Sequence, residues 1–430
     1  MGSVWQQEPA LPEFPQLSGD IDVDVLVIGG GLAGLLTAHC LRAKGIDVVL
    51  TEKDRICAAT TAHTTAKITA QHGLIYHKIS RSYGEDAAKL YYKAHSEAVD
   101  RLKQLCRRAG CPMEEKTNWV YSTDHRKIGR EIEALQRIGL EPLFEEAPPL
   151  PLDTAGAVGI AGQGQFHPLK LAGHLAKGLR ICEQTKVAEL IGTTAVTAHG
   201  RIRAKRIVVA THFPFLNKHG CYFLKLYQHR SYLLALENGP EFGGMYVDDD
   251  PKGMTFSSFG GWTLLGGGGH RTGKQGGAYG ELRSFLKEHW PDAVERLSWA
   301  AQDTMSLDGI PYIGQYSRNT PDLYVAAGFN KWGMTGAMVS AEILSAMLAG
   351  EKPEYADLFS PSRSILKPQL LVNGLETAAN FLIPTTRRCP HLGCALKYNR
   401  VEHSWDCACH GSRFTESGKV LDNPANDDLK

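Results

Sequence analysis

Three glycines in one turn constrain this chain more than any other feature. Val23, Val25, Val27 and Ile28 have the pattern of a buried strand. Gly29-Gly30-Gly31-Leu32-Ala33-Gly34 is the turn, Leu35 to Ala43 keeps apolar residues on one helical face, and Gly45 ends that helix. Asp47 to Thr51 is the next strand, closed by Glu52 and Lys53, with the acid 18 positions beyond Gly34. A lone Gly-x-Gly-x-x-Gly is a weak motif; inside a βαβ frame with a following acid it is a dinucleotide fingerprint. Gly29 allows the tight turn, Gly31 admits backbone to a pyrophosphate, and Gly34 lets helix and strand close together. The helix N-terminus faces the negative charge, and Glu52 can accept from ribose hydroxyls.

The chain has 430 residues, enough for two or three units with a large core. Lys and Arg number 47 against 46 Asp and Glu, a net charge of +1, so no global basic field points to nucleic acid or an anionic membrane. The N-terminus carries no apolar leader-like run, and the uncharged stretch from Val25 to Leu41 is broken by glycines. The expectation is a cytoplasmic protein without a membrane span, its self-association open.

Further along, helices are expected over 86–109, 127–138, 169–179 and 335–348, with an alternating, turn-rich sheet region over 227–265. The fold class is therefore mixed α/β (α+β).

Six of the ten cysteines are scattered; Cys389, Cys394, Cys407 and Cys409 crowd the tail. There Cys389-x-His391 is followed by Cys407-x-x-His410. Two thiolates and two imidazoles on two turns suit a [2Fe–2S] cluster with His on one iron. They also suit tetrahedral zinc, although zinc sites rarely place Cys and His one residue apart.

This tail resembles a Rieske domain. The resemblance implies Cys389, His391, Cys407 and His410 as cluster ligands and a disulfide between Cys394 and Cys409. Asn423-Pro424-Ala425 resembles the proline loop that covers the cluster. Ser412 matches a serine that hydrogen-bonds a cluster sulfide, whereas Phe414 stands where high-potential members have a tyrosine donor. Losing that donor implies an intermediate potential.

The larger part, about residues 20–360, resembles the D-amino-acid oxidase superfamily, the glycine-oxidase and sarcosine-oxidase-like flavoenzymes. The carrying segments are the glycine turn, Ala326 to Gly336, Ile207 to His212, Phe166-His167-Pro168, Thr185 to Leu190 and Asp308 to Gly314. The resemblance implies FAD, held by Gly29, Gly31, Gly34, Glu52, Lys53, Thr60, Thr61, His63, Val187, Gly328, Gly333, Met334 and Thr335. In the dimethylglycine and sarcosine dehydrogenase branch a histidine placed like His63 binds FAD covalently. Those enzymes have a Trp before it and this chain has Ala62, so a non-covalent flavin is expected.

The implied layout is an extension over 1–20 and a flavoprotein over 21–360. Its FAD segments are about 21–85, 160–215 and 305–350, and its substrate segments about 86–159 and 216–304. A linker over 361–383 and a truncated, all-β Rieske unit over 384–430 follow. The implied function is oxidation of a small amine or amino acid at FAD, with single electrons leaving through the cluster. The external partner is a ferredoxin, a flavodoxin or a quinone-like acceptor. The alternative is a reductase or relay fed through the cluster. A substrate carboxylate calls for Arg and Tyr, and Arg230, Tyr232 and Arg271 are the candidates, with His229 and His270 as bases and Lys331 and Trp332 bordering the flavin.

Overall fold

The computed structural model describes residues 2–8, 11–216 and 219–429. Its first sheet runs Tyr312–Gln315, Leu323–Ala327, Gly200–Val209, Ile21–Ile28, Val48–Thr51, Arg180–Cys182. The inner strands pair in parallel, Val27 opposite Val208 and Leu50. Both faces are covered, which is why these strands read as unbroken Val/Ile/Leu runs. The helices Leu32–Ala43 and Gly333–Leu348 pack together on one face.

The second sheet has nine strands. Its first three in order are Val294–Met305, Tyr227–Glu237 and Trp262–Arg271, joined antiparallel. The expected sheet region is thus present, except that Gly244–Asp248 pairs in parallel with Met113–Tyr121. The third sheet is a four-stranded antiparallel meander, Leu396–Asn399, Ser404–Cys407, Arg413–Thr415, Val420–Asp422.

Two segments differ from the sequence reading. The expected linker contains a helix, Pro368–Leu382, started by proline at its first position. The N-terminal extension is not loose either. Trp5 is buried, donates its indole N–H to Thr64 O at 2.7 Å and packs on His167 and Phe259. An indole buried with its donor satisfied anchors a segment well, and this one braces the loop that follows the glycine turn.

Candidate functional site

The glycine turn has the geometry its residues require. Gly29 sits at φ +111°, and a Cβ there would lie 2.5 Å from Ala210 O. A Cβ on Gly34 would lie 1.9 Å from Gly29 O, so only glycine lets the helix close on the strand. Thr61 Oγ1 accepts from Leu32 N at 3.1 Å and so sits on the helix N-terminus, where a pyrophosphate would lie. Glu52 accepts from Gly30 N at 2.7 Å and from Asp54 N at 3.0 Å; burial raises its pKa against those bonds. Val187 is buried just beyond Thr185, whose N–H donates to Glu52 O at 2.8 Å. Lys53 points outward and pairs with Asp54 at 3.5 Å.

A cavity of about 130 Å³ lies between the second sheet and the segments around Thr60 to Lys67 and Lys331 to Met334. Thr60, His63, Gly333 and Met334 line it, and Gly328 starts the loop that closes it. His63 Nδ1 meets Ala59 O at 2.8 Å. Asn330 and Lys331 hold left-handed backbone, φ 53° and 72°. Such angles persist where surroundings over-determine them; here Asn330 Nδ2 is locked onto Gly328 O at 2.7 Å and Ser306 Oγ at 3.0 Å. Beyond the loop, Thr335 donates to Thr69 O at 2.9 Å and meets His72 Nε2 at 3.1 Å. His72 stacks on Trp332 with centroids 4.9 Å apart and bonds Tyr91 OH at 2.6 Å. Burial pushes His72 down to about 3, so it is neutral.

Two cavity groups, Lys67 and Asp303, escaped the sequence reading, and Lys331, expected at the flavin's border, stands with them. Lys67 is buried in the cavity wall, and burial, with Lys331 nearby, lowers its ammonium to about 7. Lys331 is lowered too, by burial, and donates to Pro251 O at 3.1 Å. Asp303 also lines the cavity, and its carboxylate makes no hydrogen bond or ion pair among the described residues. Burial raises its pKa, while Lys331, His212 and Arg230 pull it the other way. The only signal for these residues is alternation along short strands, Lys67 and Ile68, then Ala301, Gln302 and Asp303, which does not tell which face is inward.

The three expected substrate residues require correction. Arg230 and Arg271 sit on strands of the cavity sheet but turn to its other face. Arg230 holds Glu402 of the C-terminal unit through both carboxylate oxygens, Nε to Oε1 at 2.6 Å. Arg271 donates to Ala408 O at 3.1 Å, Cys409 O at 2.9 Å and Asn373 Oδ1 at 2.9 Å. Tyr232 lines the cavity, yet its hydroxyl is shared between Glu402 at 3.0 Å and His270 at 3.0 Å. His229 and His270 are on the same strands, and burial lowers His229 to about 2. Guanidinium groups committed to a neighbouring unit cannot also fork a substrate carboxylate.

Across that sheet lies the cysteine-rich tail. The thiols of Cys389 and Cys407 are close neighbours, and the rings of His391 and His410 stand 4.9 Å apart. The neighbouring Cys389 thiol lowers Cys407 against burial, and the amides of His410, Cys409 and Gly411 add to that lowering. Amides directed at a sulfur favour a thiolate ligand. The buried His410 ring makes no well-formed hydrogen bond within the protein, which leaves a ring nitrogen free to ligate a metal. The sulfurs of Cys394, Cys407 and Cys409 lie within 4.8 Å of one another, but Cys394 and Cys409 are joined in a disulfide and cannot ligate. Two thiols and two imidazoles remain, which fits a [2Fe–2S] cluster. Ser412 Oγ accepts from Ala425 N at 3.0 Å, and Phe414 is fully buried beside the cysteines.

The two sites face each other through one layer of sheet. On the strand Val294–Met305, Ala301 and Asp303 line the cavity, while Gln302 between them points away. Its Nε2 donates to Gly411 O at 2.9 Å, next to His410. Its backbone carbonyl accepts from Thr60 Oγ1 at 3.3 Å. The proline loop docks as well, Asn423 Nδ2 donating to Thr211 O at 2.6 Å and Phe213 O at 2.8 Å.

Comparison with known proteins agrees with this division. The family model of FAD dependent oxidoreductases (DAO) matches residues 24–347, and that of the Rieske [2Fe-2S] domain matches 370–430. The chain is 34% identical to the Rieske 2Fe-2S iron-sulfur protein YhfW of Bacillus subtilis (strain 168), over 100% of this chain and 97% of that protein. Its tail is 41% identical over 56 residues to cytochrome b6-f complex iron-sulfur subunit 2 of Synechocystis sp., covering 13% of this chain and 30% of that one. Among solved structures, glycine oxidase from Geobacillus kaustophilus superposes with a TM-score of 0.68 at 20% identity, covering 80% of this chain and 99% of that one.

Proposed function

Since this chain belongs to the FAD dependent oxidoreductase family and carries a Rieske [2Fe-2S] domain, we propose that it oxidises a small amine or amino acid and sends the electrons singly through its own cluster to an external acceptor. The observation that carries this reading is Gln302, whose strand lines the cavity on one side and whose carboxamide holds the cluster loop on the other. Bound FAD supplies two-electron acceptance, and the cluster supplies one-electron transfer.

The chain's residues do the rest. The turn at Gly29 to Gly34 and Thr61 hold the dinucleotide. Asp303 presents a carboxylate to the substrate end of the cavity, where it can bind an ammonium group and take its proton; an amine reacts as the neutral base. Lys67 and Lys331 supply positive charge to the same cavity, for a substrate carboxylate or for charge that develops on reduction. Trp332, backed by His72, walls the cavity from the adjoining groove of about 490 Å³. Gamma-glutamylputrescine oxidoreductase of Escherichia coli (strain K12), 26% identical over 46% of this chain, supports the amine class.

The test is anaerobic mixing of the flavin-loaded protein with amines and amino acids, following flavin absorbance. Bleaching by a member of this panel is the expected result. Bleaching by reduced nicotinamide nucleotides alone would instead make the flavin a site fed from outside.

A further inference from the structure

The helix Pro368–Leu382 is oriented with its polar side inward. Asn373 and Asn380 are 3% and 2% exposed. Asn373 accepts from Arg271 and donates to Leu224 O, and Asn380 O accepts from Ala395 N. On the opposite side Leu371, Leu375 and Leu382 follow helical spacing and are 72%, 73% and 80% exposed. Leu366 before the helix and Phe381 near its end extend the ridge. The helix has one charged residue, Glu376, which is paired with Lys274.

This ridge runs into the cluster loop. Arg388 Nη1 donates to Phe381 O at 3.1 Å and to Gly393 O at 2.8 Å, tying the helix end to the ligand loop. Leu392, in that loop beside His391, is exposed as well. A contiguous apolar ridge of this kind marks an interaction surface.

Charge around the ridge selects the partner. Residues 361–400 contain six basic residues and one acid, Glu376, in a chain whose net charge is only +1. Arg363 is buried on Asp308, which leaves Lys367 just before the helix and Arg387 and Arg388 just after it to flank the ridge. A second copy docking through this face would bring the same cations against each other. Anionic headgroups would meet them favourably, and an uncharged apolar face with a basic rim is the composition of an element that lies in a bilayer interface.

We propose that this face docks on an anionic lipid bilayer, the leucine ridge entering the acyl boundary and the basic rim meeting the phosphates. No helix among the described residues is long and apolar enough to cross a membrane, so the contact is one-sided. Docking brings the helix end that Arg388 ties to Gly393 O to the lipid surface, where an acceptor dissolved in the membrane can approach the cluster unit.

The test is sedimentation of the full-length protein, loaded with flavin and cluster, with vesicles of phosphatidylcholine alone or mixed with phosphatidylglycerol. Binding to the mixed vesicles, about tenfold above phosphatidylcholine alone and weakened by salt, is expected. The double variant Leu371→Glu/Leu375→Glu and the rim variant Lys367→Glu/Arg387→Glu should each lower it about tenfold while keeping flavin absorbance and the cluster's EPR signal. Wild-type protein that stays in the supernatant with both vesicles overturns the proposal. So does a dimer that Leu371→Glu/Leu375→Glu converts to monomer without any vesicle binding, which would put a second copy on the ridge. Amine-driven flavin bleaching is read separately, so a failure here leaves the redox reading untouched, and the reverse holds.

Discussion

Gln302 and Gly411, 109 residues apart in sequence, are joined by a buried 2.9 Å hydrogen bond from carboxamide to carbonyl. The bond fastens a strand of the cavity to the residue that follows His410. Thr272 Oγ1 donates to the same carboxamide at 2.9 Å, so its orientation is set.

Replacing Gln302 with Leu leaves Gly411 O unsatisfied in a buried place, at a cost of about 1–3 kcal/mol to docking. Stopped-flow reduction should show flavin bleaching at the wild-type rate and slower appearance of reduced cluster. Equal slowing of both phases would assign Gln302 a general structural role instead.

Glu402 sits between Arg230 and Arg413, with Arg413 Nη2 at 2.9 Å. Burial acts to raise its carboxyl, but the two guanidinium groups override this and hold it at about 2. A depressed carboxylate contributes stability that is present above its unfolded value and lost as pH falls through the folded one. Docking should therefore weaken between pH 4.5 and about 2, read as protease cleavage near 361–367. Glu402→Gln leaves the buried Arg230 with only Asp422, at 4.0 Å, and should destabilise the docked unit by about 1–3 kcal/mol at neutral pH. A variant with unchanged melting and unchanged cleavage would contradict this.

Asp303 is the cavity's unpaired carboxylate. Asp303→Asn should raise the KM for an amine substrate about tenfold or more, the scale of a charge-assisted hydrogen bond, with flavin still bound. Burial raises the Asp303 pKa against Lys331, His212 and Arg230, so wild-type binding should fall on the acid side at a pH above the usual aspartate range, and that limb should vanish in the variant. An unchanged pH profile would remove Asp303 from substrate binding.

The parts legible in the sequence were those whose chemistry is local. Gly29, Gly31 and Gly34 need only their turn, strand and helix. Cys389, His391, Cys407 and His410 need only two loops. Arg230 and Arg271 were misread because a strand has two faces and a tail more than 130 positions away decides which is occupied; Ala408 and Cys409 receive Arg271 only after docking. The expected linker over 361–383 holds the helix Pro368–Leu382, whose leucines face outward and asparagines inward, the reverse of an ordinary surface helix, so its role is set by the docked tail and not by its own pattern. Lys67 and Asp303 gave no signal because a buried charge beside a cofactor breaks the pattern used to find strands.

Phe414 is fully buried where a tyrosine would place a donor among the cluster's sulfurs. Phe414→Tyr should raise the cluster potential, because a donor favours the more negative reduced state. A redox titration followed by EPR gives the sign directly; a potential unchanged or lowered would mean the hydroxyl does not reach a sulfur.

His63 Nδ1 is engaged by Ala59 O. Acid precipitation should release all the flavin into the supernatant, and flavin retained in the pellet would show a covalent link.

The central claim is that flavin and cluster of one chain exchange electrons across the Gln302 strand. The most direct measurement is freeze-quench EPR of anaerobic protein mixed with an amine that bleaches its flavin, at several protein concentrations and without other reductant. The account predicts a Rieske-type signal that follows flavin reduction at a rate independent of protein concentration. A rate that rises with concentration, or a cluster that only dithionite reduces, would contradict it.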